Sequence, residues 1–517
     1  MSNDIYADWK PLRNFLRQTD IMEDLYVIHA YAARKLMPNY NPPFPVDIEA
    51  HPWIDKPYAF LPWELETLAR EVIVCAGKNN YPRYSFKEQR DLSRGVDHLK
   101  HIENAISTKF VNPSNIRQEI SVRLAHRQFK YQADSPNTDS LVRYARIFNS
   151  PDVAAIIKNK IGLTPTQIAT IGGALFGNTL TYFQTLYNPT EFSLPDVTWE
   201  DYELFVNKFG ITLDDLKAKL LDNNERKLDD TFLYAYHSLI NWPLIKGTNS
   251  DGLEFVSSPL PVLLYWRISS GLYYDVYDER GFDNAFGKAF ENFVGDVSMA
   301  IIANAQIVVY PEEENYAGSP HRIDWVVDQN TCGLLVECKT KRLTLGAKVT
   351  LLNADELFEQ LQILGDAVCQ SYESYIAYKE GQYHSPNYLF NSSKKYYLAI
   401  TTLERWYLMG EQIEMLDEIV LQKLIDKNID FSLMTEVPYI VAPITDFEYL
   451  IHFAKTHSFE DIIQPYIDGV SSEGWELVSY FNENFRSEIE NYEFPFSSEY
   501  ETIYGEEVGT RLRDGEG

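Results

Sequence analysis

From His321 to Lys341 the chain reads HRIDWVVDQNTCGLLVECKTK, two short apolar runs either side of a turn-rich DQNTCG. Runs of that length around such a turn predict a β-hairpin. Side chains alternate between the two faces of a strand. Glu337 and Lys339 therefore share a face, Cys338 points the other way, and the hairpin brings Asp324 alongside the pair. This stretch ties the surrounding region to a sheet with polar groups gathered at one edge.

At 517 residues the chain is too long for one ordinary core, and two or three domains are expected. A hydrophobic content of 45% with 14% aromatic residues supplies enough apolar surface for a globular protein. Cys75, Cys332, Cys338 and Cys369 form no CxxC pair and no zinc spacing, so they read as reduced thiols of a cytoplasmic protein. Asp4, Asp8 and Lys10 stand where a secretory signal would begin its apolar run, so none is expected. The most apolar windows, such as Val297 to Val309, are shorter than a membrane span, and no membrane partner is expected.

The net charge of −29 weighs against nucleic acid as a partner, because phosphate binding is driven by basic surface. The excess is uneven, however: Glu411 to Gly517 holds 24 acidic and 6 basic residues. Around the hairpin the balance reverses. His321 and Arg322 precede Asp324, and Lys339, Lys341, Arg342 and Lys348 follow Glu337 with no acid among them.

The pattern along the chain divides it into four parts. Residues 1–245 are a large helical region for targeting, oligomerisation or regulation, with apolar residues at helical spacing over Glu64 to Cys75 and Ser140 to Lys160. Pro42, Pro43 and Pro45 predict a loop there. Thr164 and Thr212 each precede a helix-like run as caps, with Pro165 at a first helical position. The first of these runs, GLTPTQIATIGGALFG, fits either a packed bundle or a DNA-reading helix-turn-helix, and Gly172-Gly173 favours the bundle.

Residues 246–280 read as a connector, 281–405 as an α/β core with a mixed sheet, and 406–517 as an acidic, mainly helical region. The core opens with an amphipathic helix whose Phe286, Phe290, Phe293 and Val297 recur at core-facing spacing. A strand in NAQIVVYPEE, the hairpin, a helix over Ala354 to Tyr378 and a strand in KKYYLAITTL follow. Two carboxylates and an ammonium at one sheet edge suit phosphodiester hydrolysis with a bound divalent metal.

Over about 282–405 the chain resembles the PD-(D/E)xK nuclease superfamily, the restriction-endonuclease-like fold. Glu337-Cys338-Lys339 matches its E-x-K after the apolar GLLV, and Asp324 stands at its aspartate, preceded by Ile323 in place of proline. Glu291, in GKAFENFV, fills the place of an additional acid on the preceding helix. The resemblance implies catalysis by Asp324, Glu337, Lys339 and Glu291, with Asp324, Glu337 and Glu291 holding Mg2+ or Mn2+. It further implies cleavage of DNA in restriction, phage defence or repair.

Blander readings stand beside this one. E-x-K recurs by chance in long chains, and Asp324 opposite Lys339 can be a cross-strand ion pair. Gln360 and Gln370 are explained by a polar helix face, and the acids after Pro311 by a solvated loop. No GxxxxGK[ST], HExxH or GxSxG segment occurs. The alternative function is a non-catalytic protein-interaction scaffold that keeps a nuclease-like fold, with a protein partner or a second copy of itself as ligand. A third is sequence-specific DNA binding through the Thr164 helix. The acidic tail, NENFRSEIENYEFPFSSEYETIYGEE, either docks on the protein's own surface, where it can cover the basic rim and restrain the site, or binds a partner or stays solvated.

Overall fold

The computed structural model of the chain describes all residues except 1–3, 37–50, 54–55, 57–58, 79–80, 113–126, 129, 134–135, 187–188, 190–191, 223–226, 304–305, 312–322, 343–353, 383–387, 409, 471–475 and 505–517. The Pro42–Pro45 segment, the acids after Pro311, His321, Arg322 and Lys348 thus lie outside the described residues. The chain divides into two compact units, Met1–Phe282 with Phe496–Gly517, and Asp283–Pro495. Each is mixed α+β, with helix predominating and one small mixed sheet. Among the described residues no helix is long and apolar enough to cross a membrane.

In the first unit, α1 (Tyr6–Leu16), α2 (Ile21–Leu36), α3 (Pro62–Cys75) and α4 (Gln89–Phe110) pack together. On α4, Leu92, Val96, Leu99, Ile102 and Ile106 form a single buried stripe, as helical periodicity requires. The predicted Ser140–Lys160 helix is two, α5 (Thr138–Phe148) and α6 (Pro151–Ile161). Pro151 has no N–H to continue the first helix and opens the second instead.

Helix α7 (Pro165–Thr179) begins as its sequence predicts, Thr164 Oγ1 accepting from the Gln167 N–H at 3.1 Å. It is buried on nearly every side, as a helix packed in a bundle is. Gly172 lies against Ile268 of a later helix, and a Cβ there would collide with that side chain. The glycine serves close helix packing.

A four-stranded sheet also belongs to this unit, an element the sequence reading missed. Its strands are β1 (Gln184–Leu186), β2 (Gly210–Thr212), β3 (Leu244–Thr248) and β4 (Glu254–Ser257), in the order β1-β4-β3-β2. Strand β2 lies between α8 (Trp199–Phe209) and α9 (Leu213–Leu220), and Thr212 caps α9. Strands of three to five residues are too short to show alternation. The stretch read as a connector, 246–280, is instead an integral part of the first unit, containing most of β3, all of β4 and α10 (Pro261–Ile268).

The second unit opens with α11 (Phe282–Ile301) and builds a five-stranded sheet. Its strands are β5 (Val308–Pro311), β6 (Trp325–Asp328), β7 (Cys332–Lys339), β8 (Lys395–Thr402) and β9 (Tyr439–Pro443), in chain order across the sheet. Strands β5, β6 and β7 run antiparallel, then β7, β8 and β9 parallel. The long crossover between β7 and β8 contains α12 (Ala354–Lys379), as parallel pairing demands. Helix α12 packs on β7, β8 and α13 (Glu411–Asp426), while α14 (Ile444–Phe453) packs on β8 and β9.

Two sequence expectations are corrected here. Residues 406–495 share the sheet and the unit of the α/β core and do not stand apart from it. Strand β9 was missed because its five residues follow Pro438 and end on Pro443, in a stretch otherwise read as helical.

Candidate functional site

The hairpin sets the site. Trp325 pairs with Val336 across β6 and β7, and one residue further along that register Asp324 stands opposite Glu337. The turn is fixed from several sides. Gln329 donates through its side chain to the carbonyls of Ala454 and His457 at 2.9 Å and accepts from the Phe459 N–H at 2.9 Å. Lys394 donates to both oxygens of Asp328, at 2.8 and 2.7 Å.

At the open end of the hairpin, Asp324 Oδ2 accepts from the Cys338 N–H at 2.7 Å. Lys339 Nζ donates to Glu337 Oε1 at 2.6 Å, with Glu337 buried and the Lys339 side chain 26% exposed. The ammonium is therefore held on one side and open on the other.

Glu291 reaches this edge from α11. Trp325 fills the gap between helix and strand, its Nε1–H donating to the Glu291 carbonyl at 2.9 Å. Gly295, one turn on from Glu291, lies beneath the indole, where a Cβ would stand inside the ring's contact surface. The Glu291 carboxylate pairs with Lys288 on the same helix.

Glu337, Glu291 and Lys339 each bear electrostatically on the Asp324 carboxyl. Burial raises the Asp324 carboxyl well above the usual carboxylate range, and Glu337 and then Glu291 push it further. The Cys338 N–H and the Lys339 ammonium act against that rise. Burial works to lower the Lys339 ammonium, but Glu337 and Asp324 more than offset it, so its pKa is raised and it stays charged. The Cys338 thiol is held protonated by burial and the same carboxylates. It is an inert neighbour by this measure.

Asp324, Glu337 and Glu291 are hard oxygen donors, the kind magnesium and manganese take, and a cation among them would relieve their mutual repulsion. Among the described residues, no three carboxylate, imidazole or thiolate groups stand close enough to hold a metal in these rotamers. The donor chemistry fits a divalent ion, and filling the site would require the Glu337 and Glu291 carboxylates to turn from Lys339 and Lys288.

The basic rim is reduced from its sequence expectation. Arg342 is buried and paired with Glu404 at 2.9 Å, so it braces the end of β7. Lys341 is exposed. Gln360, set aside in the sequence reading, is buried on α12, and among the described residues its amide oxygen has no hydrogen-bond partner. Helical periodicity alone could not separate it from a polar face.

Compared with protein-family models, with curated proteins and with solved structures, the chain finds no match in any of the three.

Proposed function

We propose that the chain is a metal-dependent nuclease, hydrolysing phosphodiester bonds in DNA through its second unit, which has a restriction-endonuclease-like core. One observation carries this reading: at the open end of the hairpin Asp324 takes the Cys338 N–H, Glu337 of β7 holds the half-open Lys339 ammonium, and Trp325 ties the Glu291 backbone of α11 to the neighbouring strand. A cross-strand ion pair alone would need neither Glu291 nor the crowding of Asp324.

Asp324, Glu337 and Glu291 would hold the cation. When bound, a magnesium- or manganese-like ion polarises the scissile phosphate and acidifies water. The Cys338 N–H fixes the Asp324 carboxylate, and the seating of Trp325 on α11 fixes Glu291. Lys339, charged and partly exposed, offsets negative charge building on the phosphate in the transition state. Restriction, phage defence and repair are all settings for such an enzyme, and fold does not choose among them.

The test is metal-dependent cleavage of plasmid and single-stranded DNA by the wild type, Asp324→Ala and Lys339→Ala. The expected outcome is cleavage by the wild type with Mg2+ or Mn2+, falling at least about 100-fold in each variant. Wild-type-like cleavage by either variant would falsify this assignment.

A second reading is favoured by the ion pairs themselves. Glu337 with Lys339 and Glu291 with Lys288 form ion pairs without a metal. A non-catalytic scaffold with protein partners would look like this, and the absence of wild-type cleavage with either metal supports it.

A further inference from the structure

We infer that the second unit carries a separate binding site for a small, uncharged, purine-sized heterocycle, in a cavity between the segment after β8 and the edge strand β9. The cavity has a volume of about 250 Å3. A cavity of about 150 Å3 holds benzene, and drug-sized sites run from about 300 Å3 upward. The space therefore suits one bicyclic ring with at most a sugar attached.

Its walls are apolar and aromatic, with Leu416 of α13, Ile440 of β9 and Tyr466 among them. Parallel strands place such crevices beyond their C-terminal ends. Arg405 to Leu408, directly after β8, form one side. Tyr407 in that segment has a φ of +52°, a conformation that a bulky residue keeps only when its surroundings impose it.

Two polar groups define what the ring must offer. Trp406 is a buried residue of the cavity lining, and among the described residues its indole N–H has no acceptor. Asp417, also in the wall, accepts from the Tyr439 hydroxyl at 2.6 Å and remains able to accept from a second donor. A purine presents ring nitrogens for the first and an exocyclic amino group for the second.

Charge excludes the phosphorylated forms. Among the described lining residues Arg405 is the cation, and Asp446 takes it in a two-pronged pair at 2.9 and 2.5 Å, with Glu476 at 3.8 Å. One guanidinium against Asp417, Asp446 and Glu476 leaves the lining two charges negative. A phosphate dianion would be repelled, so the ligand is a free base or nucleoside.

The segment entering this cavity is fastened to the end of β7. The Leu403 N–H donates to the Lys339 carbonyl at 3.2 Å, and Glu404 pairs with Arg342. An occupant thus bears on the edge that carries Lys339. The binding inference itself does not depend on the nuclease reading.

Calorimetric titration of the full chain with adenine, adenosine, AMP and indole tests it without reference to cleavage. Adenine and adenosine should saturate a single site, with AMP and indole at least tenfold weaker, since AMP adds a dianion and indole has no ring acceptor for Trp406. Trp406→Phe keeps the ring and should weaken adenine severalfold. Asp417→Asn removes one negative charge and should narrow the gap between adenosine and AMP. No saturable binding of adenine or adenosine to the folded wild type overturns the inference. Equal binding of AMP, or undiminished binding of adenine to Trp406→Phe, overturns it as well.

Discussion

Two crowded carboxylates show how residue surroundings decide chemistry. Asp324 sits among other acids at an edge where a cation would relieve the strain. Asp24 on α2 is buried in the first unit, and burial pushes its carboxyl up to about 8. The Thr19 side chain and the Phe86 N–H pull it down only in part, while Glu23 and Asp20 add to the rise. The folded chain therefore keeps a proton that the unfolded chain has released above about pH 4. Stability from this group is fully present below that pH and is lost as pH rises towards 8, at up to about 1.4 kcal/mol per pH unit. Urea unfolding of Asp24→Asn should give a flatter pH dependence than the wild type between pH 4 and 8. An unchanged slope would show that Asp24 is not the group responsible. The positions of Asp324, Glu337 and Lys339 were legible in the sequence because strand alternation and hairpin register are local rules. The fate of Arg342 was not, since its partner Glu404 comes from the far side of the α12 crossover.

The long helices α11 and α12 were legible because they show their periodicity over five turns or more, whereas strands β1 to β4 and β9 have too few residues to declare a period. The equally short β5 and β6 were read only beside the turn-rich hairpin segment. Gly295 was read only as part of an amphipathic helix, yet it is what lets α11 approach β6 closely enough for Trp325 to reach the Glu291 carbonyl. Gly295→Ala must displace either the helix or the indole. The expected cost is about 1–3 kcal/mol, and metal-dependent cleavage should fall with it as Glu291 moves off the edge. Thermal unfolding and the plasmid assay measure the two effects. An unaltered melting temperature would contradict this view of how α11 is seated.

At the scale of the whole molecule, the acidic excess is distributed in a way composition could not reveal. The tail was expected to dock, to find a partner or to stay solvated, and in the described residues its end docks within the first unit. Arg146 of α5 donates to Glu499 at 2.5 Å and lies over the Phe496 ring at 3.8 Å, and the Thr170 hydroxyl of α7 donates to the Ile503 carbonyl at 3.1 Å. Those residues are held by α5 and α7 within the first unit. A chain carrying −29 collects cations at many places, so metal binding in bulk would not discriminate among them. An anomalous difference map from crystals of the whole chain soaked in Mn2+ compares every site at once. The account predicts the strongest peak between the Asp324 and Glu337 carboxylates, with Glu291 turned towards it and Lys339 released from Glu337. No peak there, with manganese bound elsewhere and the Glu337–Lys339 pair intact, would contradict it.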